Sequence, residues 1–423
     1  MKPTCKCFES GLRVVFTKIG KNRPTSVYVA VDVGSQNENE KTNGISHFIE
    51  HLNFKGTSKR TAQQISIDFE NIGAEANAWT SKTATCYYAT TLPENVDKCC
   101  EILSDIVLNS SYNEGDIEKE RKVVFEEIAM TMDDPESVAY DKFCEMFYAG
   151  NSLSRSVLGT KKSLSKITRE DIVNYVKENY IARNIVVSIA GNYDKEFVFE
   201  IVDKYFNSKF KNKDRVLRKK HNENFVPRPA FLQEVADFNQ TQVIIGFPAD
   251  NCFAKNSRMR YAVLTFIMGG SMGSRLFRSI REDHGLVYNI ACGPECFEKA
   301  GDVTINFGTN EKNVEKALEL VRNEVEKIAK KGITEEELVR AKTFCKGVLL
   351  ASSESGAKIA RSVVTNYLTY NKYFTIEERL KSLENINIDE INMLAKRIFD
   401  LKKSVTLVLI KNKIDGLEKK LLK

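Results

Sequence analysis

The sequence predicts an α+β protein made of two homologous α/β domains in tandem. Three observations lead there. At 423 residues the chain is longer than one hydrophobic core usually serves, so two or more domains are expected. Along it, short alternating or β-branched runs trade places with stretches at helical spacing, the pattern of sheets covered by helices. The pattern then recurs. ATTLPENVDKCCEILSDIV near residue 89 matches INFGTNEKNVEKALELVRNEV near 305, EGDIEKERKVVFEEI matches ITEEELVRAKTFCKGVL, and NIVVSIAG matches SVTLVLIK, all at offsets of about 218 to 220 residues. A near-constant offset across three blocks argues for duplication. The expected division is a first domain at 1–210, a linker at 211–230 and a second domain at 231–423.

Taken in order, Leu12, Val14 and Phe16 alternate with Arg13, Val15 and Thr17 and read as a strand, followed after the turn-like GKNRPT by a second strand over 25–35. The polar stretch SQNENEKTNG leads into a helix starting near Asn43 or Gly44. A further helix carries Ile65, Phe69 and Ile72 at helical spacing and stops at Gly73. The Thr, Tyr and Trp content of 77–92 predicts one or two strands, and Pro93 opens a helix that runs to about Asn109. A long helix from Ile117 is broken by Pro135, and helices follow at 137–147 and 168–180. The run NIVVSIAGN is a buried-strand candidate, and a helix over 195–206 closes the half. Residues 207–230, rich in charge and Asn and holding a PRP triplet, make the best linker in the chain.

Composition narrows the function classes. With 42% hydrophobic and 28% charged residues the chain is an ordinary globular protein, and disorder is not indicated. The net charge of +6 is the difference between 63 basic and 57 acidic side chains, too balanced to argue for nucleic acid. Lysines cluster at 209–220 and at the C-terminus, and both clusters read as solvated: one a linker, the other a tail. Neither has the interleaved aromatics of a nucleic-acid surface. No apolar run reaches the ~20 residues needed to cross a bilayer, so no membrane association is expected. The ten cysteines are scattered, which fits a reducing compartment better than a disulfide framework. The cytoplasm of a bacterium, or a compartment reached by a segment already removed, is the expected location.

Chemistry concentrates at GISHFIEHLNFKGT, residues 44–57. The chain has four histidines, and two of them, His47 and His51, fall four residues apart with Glu50 between. On a helix, positions i, i+3 and i+4 share a face, so two imidazoles and a carboxylate can converge there. That is what a zinc ion and its attacking water require. Spacing alone also allows two histidines on a solvated helix face. Zinc in a hydrolytic site takes three protein ligands, and the long helix of the first half offers Glu118, Glu120, Glu126 and Glu127. Glu120 and Glu127, seven apart, share a face with Val123 and Val124 between them; a neutralised buried stripe and a solvated charged helix are both open. In the second half, setting Gly44 opposite Gly270 puts His47 and His51 against Gly273 and Phe277, so any metal is expected in the first half alone.

The order His-x-x-Glu-His in HFIEH is the inverzincin motif. With ERKVVFEEIAMTMDDP about 70 residues on, it resembles the pitrilysin family of zinc peptidases, in particular the branch of the catalytic subunit of the mitochondrial processing peptidase and its single-chain bacterial relatives. GLRVV, NAWTS and GGSMGSRLFRSIREDHGLVY extend the resemblance over nearly the whole chain. It implies that each domain is a mostly antiparallel sheet packed with helices, the pair forming half of a clam-shell chamber. It implies Glu127 as third zinc ligand beside His47 and His51, Glu120 as the carboxylate behind them, and Glu50 as the base that takes a proton from water. Arg281 and Tyr288 are implied to grip substrate, and Asn77, Ala78, Trp79 and Thr80 to form the edge strand along which a peptide lies. For Trp79, ordinary core packing is an equal reading.

The resemblance thus implies one Zn2+ per chain and a zinc metalloendopeptidase acting on peptides or unfolded polypeptide, for degradation or precursor processing. Two domains make only half a chamber, so a homodimer, or a heterodimer with a paralogue, is expected. The competing expectation is a noncatalytic scaffold or assembly subunit of the same fold. Its signature is loss of His47, Glu50, His51 or Glu127, and none is lost.

Overall fold

The structure is a computed structural model, and it describes residues 2–210, 225–254 and 257–422. The first half runs β1 (Thr4–Cys7), β2 (Arg13–Lys18), β3 (Thr25–Val31), α1 (Ile45–Leu52), α2 (Ala62–Asn71), β4 (Glu75–Thr80), β5 (Thr85–Thr91), α3 (Val96–Leu108) and α4 (Glu114–Asp133). It continues through α5 (Pro135–Phe147), α6 (Lys161–Leu164), α7 (Arg169–Asn179), β6 (Ile185–Gly191) and α8 (Lys195–Tyr205). The second half runs β7 (Ala230–Val235), β8 (Thr241–Pro248), α9 (Ser257–Gly269), a π-helical turn (Phe277–Glu282), β9 (Val287–Cys296), β10 (Gly301–Thr309), α10 (Val314–Lys331) and α11 (Glu335–Ser352). α12 (Gly356–Tyr370), α13 (Ile376–Glu384), α14 (Ile388–Ile398), β11 (Val405–Ile410) and α15 (Leu417–Leu422) complete it.

The duplication is visible in the sheets. The first has the order β1-β2-β6-β3-β5-β4 and the second β7-β11-β8-β10-β9. Removing β1, a short exposed strand that alternation did not single out, leaves the same five-strand order in both. Each sheet is antiparallel except where the outer strand of that core, β2 or β7, runs parallel to its neighbour β6 or β11. The two domains are therefore tandem copies of one mixed α/β architecture.

Element order also corrects one correspondence. The helix that follows β8, as α1 follows β3, is α9, so Gly44 does not pair with Gly270, which lies beyond the end of α9. Loop lengths differ between the copies, and matching glycine to glycine slipped the register. Among its residues, SRMRYAVLTFIMG, α9 has no histidine or carboxylate at all.

Compactness divides the chain differently from sequence order. One unit gathers the described residues of Met1–Ala129, Arg155–Lys220 and Leu350–Ile376, and the other those of Met130–Ser154, His221–Leu349 and Glu377–Lys423. Each half of the chain thus lends a segment to the other unit, so the contiguous spans 1–210 and 231–423 are not the packing units. The reason is that both faces of each sheet are apolar. In the first sheet Val14, Phe16, Val27 and Val29 face α1 and α3, whereas Val15, Tyr28, Ala30 and Val186 face α12, which buries Ile359, Ala360, Val363 and Val364 on them. In the second sheet α5 does the same, with Phe143 and Phe147 against Ile244, Val405 and Leu407. At Gly246 a Cβ would meet the Phe143 ring at 2.2 Å, so the close approach of α5 requires glycine there.

Two further expectations meet the structure at the edges. Most of the expected linker at 211–230, with the lysine run beside it, lies outside the described residues. Lys419 and Lys420 are not part of a solvated tail: they sit on α15, which buries Leu417 and Leu421 in the second core while Lys420 pairs with Glu315 and Glu319 of α10. Lysine stems shield apolar surface while their heads stay wet, which hid the helix in the composition.

Candidate metal centre

α1 is amphipathic in the strict sense that its two faces carry different chemistry. Ile45, Phe48, Ile49 and Leu52 are buried against the first sheet's core, and at 100° per residue this turns His47, Glu50 and His51 to the opposite side. Its N-cap is Gly44, at φ +92°, a conformation that L side chains rarely adopt. α4 supplies the facing wall. Its buried residues are Ile117, Glu120, Arg121 and Val124, whereas Val123 is exposed, so the stripe is not the Val123–Val124 ridge that spacing suggested. Arg121 anchors the helix by donating to the Ile167 and Leu164 carbonyls, and its guanidinium lies 5.3 Å from the Phe48 ring of α1.

Glu127 of α4 meets both imidazoles. Its Oε2 is 3.7 Å from His47 Nε2 and 3.4 Å from His51 Nε2, and the two rings stand edge to face at 4.6 Å. Among the described residues this trio is the one group of three or more His, Cys, Asp or Glu side chains whose donor atoms converge within 4.8 Å. Two donors held ~2.05 Å from a tetrahedral zinc lie roughly 3.3 Å apart, so the observed spacings fit that ion with small adjustments. Two nitrogens and one oxygen are also the donor set of hydrolytic zinc sites, with a fourth position left over.

Behind the trio, Glu120 is buried, with Oε2 3.2 Å from His51 Nδ1 and Oε1 2.8 Å from Lys55 Nζ. Of the two readings that spacing left open, burial and these partners select the neutralised one for Glu120, whereas Glu127 is only half-buried. A carboxylate on Nδ1 fixes Nε2 as the free ligand atom of His51 and raises its basicity. His47 Nδ1 is buried without a hydrogen-bond partner among the described residues.

The electrostatics separate the two histidines. Burial, reinforced by the neighbouring His51, lowers His47 to about 4, although Glu127 acts the other way. Burial also works to lower His51, but hydrogen bonds to Glu127 and Glu120 outweigh it and raise the pKa. Glu127 is held low, first by its hydrogen bond to His51, against the opposing effect of burial. A neutral His47 beside an ionised Glu127 matches the protonation state that metal ligation demands, whereas His51 is held towards its charged form by the two carboxylates.

Glu50 lies next to the trio and outside it. Burial pushes its pKa up, against a hydrogen bond from Thr80 Oγ1 at 2.5 Å to Oε2. A carboxylate tuned upward beside a cation site is suited to taking and returning a proton.

The predicted edge-strand residues divide by face. β4 ends the first sheet, and among the described residues it pairs with β5 alone, with no strand on its outer edge. Ala78 packs on the α1 side, and Thr80 reaches Glu50. Trp79 instead packs into the α12 cluster, under the Arg361 guanidinium at 5.5 Å, as core packing would have it. Asn77 Oδ1 accepts a hydrogen bond from the Ala78 amide. Arg281 and Tyr288 belong to the second unit, where the guanidinium of Arg281 lies 5.0 Å from the Tyr288 ring and 4.6 Å from that of Phe277. Tyr288 is 81% exposed, the most accessible large apolar side chain of the described residues. Sequence reasoning passed over Lys55 and the link from Thr80 to Glu50. Lys55 sits four residues beyond His51, and that spacing was the one signal available for it.

Comparisons with known proteins identify the family. Residues 13–161 match the family model described as insulinase, peptidase family M16, and residues 166–344 match the peptidase M16 inactive domain. An uncharacterized zinc protease of Rickettsia felis is 34% identical over 92% of this chain and 93% of its own length. One from Bacillus subtilis is 33% identical over 92% and 94%. Among solved structures, a peptidase M16 inactive domain from Pseudomonas fluorescens superposes with TM-score 0.90 at 16% identity, covering 98% of both chains. A protease from Helicobacter pylori gives 0.88 at 23% identity, over 97% of this chain and 99% of its own. The chain belongs to peptidase family M16, the insulinase and pitrilysin-like group to which its zinc-protease relatives also belong.

Proposed function

We propose that this chain is a zinc-dependent endopeptidase that hydrolyses peptides or unfolded segments, with one zinc per chain held by His47, His51 and Glu127. The observation that carries the reading is the convergence of those three donors beside a half-buried carboxylate, Glu50, that stands outside the trio. Zinc held there supplies Lewis acidity, which makes water nucleophilic near neutral pH and polarises the scissile carbonyl. Glu50 takes the proton of the attacking water on its carboxylate and hands it to the leaving amine. Thr80 keeps that carboxylate aimed through its hydroxyl, and Glu120 with Lys55 holds the His51 ring.

The free edge of β4 offers main-chain hydrogen bonds to an extended peptide, which gives broad sequence tolerance and excludes segments that are already folded. Arg281 and Tyr288 are substrate-binding residues of the second unit, and the chain works as a homodimer in the bacterial cytoplasm. The second domain, whose α9 lacks ligands, is the noncatalytic half.

The test is metal content with cleavage of a quenched, unstructured peptide. One zinc per chain, with activity lost on chelation and restored by added zinc, is the expected result. Cleavage that persists in a chelated, metal-free preparation overturns the reading.

A further inference from the structure

α1 has an unusual start. Its N-cap is glycine, which has no side chain to accept the orphan amides of the first turn. A larger residue cannot replace it: a Cβ on Gly44 would lie 2.6 Å from the Leu158 carbonyl oxygen, and φ there is +92°. The cap comes from elsewhere. Glu38, six residues upstream and 4% exposed, accepts the Gly44 amide at 2.7 Å and the Asn43 side-chain amide at 3.0 Å on Oε2, and the Ser46 amide at 2.9 Å on Oε1.

We propose that Glu38 is a positioning residue for the metal centre, acting through the first turn of α1 to hold His47 and Glu50 in register with Glu127. The inference rests on the zinc-peptidase reading above. His47 is the third residue of α1, inside the turn that Glu38 closes, whereas His51 lies a full turn further on and has its own support in Glu120. His47 Nδ1 has no hydrogen-bond partner among the described residues to orient its ring, so its position depends on the backbone that carries it.

The same turn is tied to the α4 side. Asn43 donates to the Ser156 carbonyl at 2.9 Å, and the Asn43 carbonyl accepts from Ser163 Oγ at 2.8 Å. One residue further on, the Leu164 carbonyl accepts from Arg121 of α4. The segment following Arg155 thus seats the start of α1 and the middle of α4 together, and Glu38, accepting from Gly44, Asn43 and Ser46, is the peg that fixes α1 to that seat. A carboxylate at a helix N-terminus also meets the positive end of the helix dipole, which favours this anchor over a neutral one.

The experiment uses the full chain with Glu38→Gln, which keeps the shape but turns one acceptor into a donor facing other donors. Zinc affinity by chelator competition, the cobalt-substituted absorption spectrum, kcat and KM, and thermal unfolding of the metal-free chain are read together. Expected are a fall in zinc affinity of about 10-fold to 100-fold, a changed cobalt spectrum, and a lower kcat at a KM within twofold of wild type. Wild-type zinc affinity, spectrum and kcat in the variant overturn the proposal. If Glu38→Gln does not fold, Asn43→Ala withdraws one of the donors and is read the same way; a folded Asn43→Ala chain with zinc affinity within twofold of wild type overturns it. A wild-type chain that takes up no zinc overturns the peptidase reading instead, so the two failures are distinct.

Discussion

Glu120 and His51 face each other at 3.2 Å, carboxylate to Nδ1, with the other oxygen of Glu120 on Lys55. The buried carboxylate orients the half-buried imidazole from behind. Replacing Glu120 with Gln is expected to lower zinc affinity by about 10-fold to 100-fold, measured by chelator competition. Lys55→Met leaves the buried carboxylate with one cation fewer and lowers stability by about 1 kcal/mol in urea unfolding. Unchanged affinity in Glu120→Gln would show that His51 needs no support.

Glu50→Gln is expected to retain one zinc and lose at least about 10²-fold to 10⁴-fold in kcat, because the amide cannot accept the water proton. Thr80→Val, which removes the hydroxyl that aims Glu50, costs about tenfold in kcat/KM, the scale of one hydrogen bond to a charged group. Steady-state kinetics on a quenched peptide check both, and full activity in Glu50→Gln would remove it as the base.

In the second unit, burial pushes Asp302 up to about 7, even though the Tyr148 hydroxyl donates to it. The folded chain therefore keeps this proton up to about pH 7, whereas the unfolded chain releases it near 4. Between those values the folded state binds more protons, so this group's contribution to stability is full below about pH 4 and falls as pH rises towards 7, by up to about 4 kcal/mol. Asp302→Asn removes that slope. Urea midpoints at pH 5 and pH 8 for both chains check it; equal pH dependence in wild type and variant is the contrary outcome.

Gly44→Ala combines a positive φ with a Cβ set against the Leu158 carbonyl. A loss of about 2 kcal/mol or more is expected, together with weaker zinc binding, since the first turn of α1 must shift. An alanine chain as stable as wild type in thermal unfolding would contradict the close approach.

Much of the site was legible because helical period is a local property. HFIEH needs only its own backbone to place His47, Glu50 and His51 on one side, and the apolar set Ile45, Phe48, Ile49 and Leu52 assigns the other side to the core. Glu127 lies 76 residues past His51, and spacing on α4 left four candidate glutamates; resemblance chose among them, and packing brought its Oε2 to 3.4 Å from His51. The role of Lys55 was hidden because it depends on a partner, Glu120, that is distant in sequence.

The sequence by itself determined the elements, the duplication and the face of α1 that carries the imidazoles, since these follow from periods of two and 3.6 residues and from a repeated pattern. Only the tertiary structure decided which helix covers which sheet. Alternation along residues 12–17 assigned Leu12, Val14 and Phe16 to a core but gave no sign that Val15 would be buried under α12, more than 300 residues away. Amphipathic patterning says that a surface must be covered; it carries no information on which surface covers it, because apolar contact is non-directional and many pairings satisfy it. The exchange of α5 and α12 between the units, and the anchoring of α1 by Glu38, were settled by that three-dimensional choice.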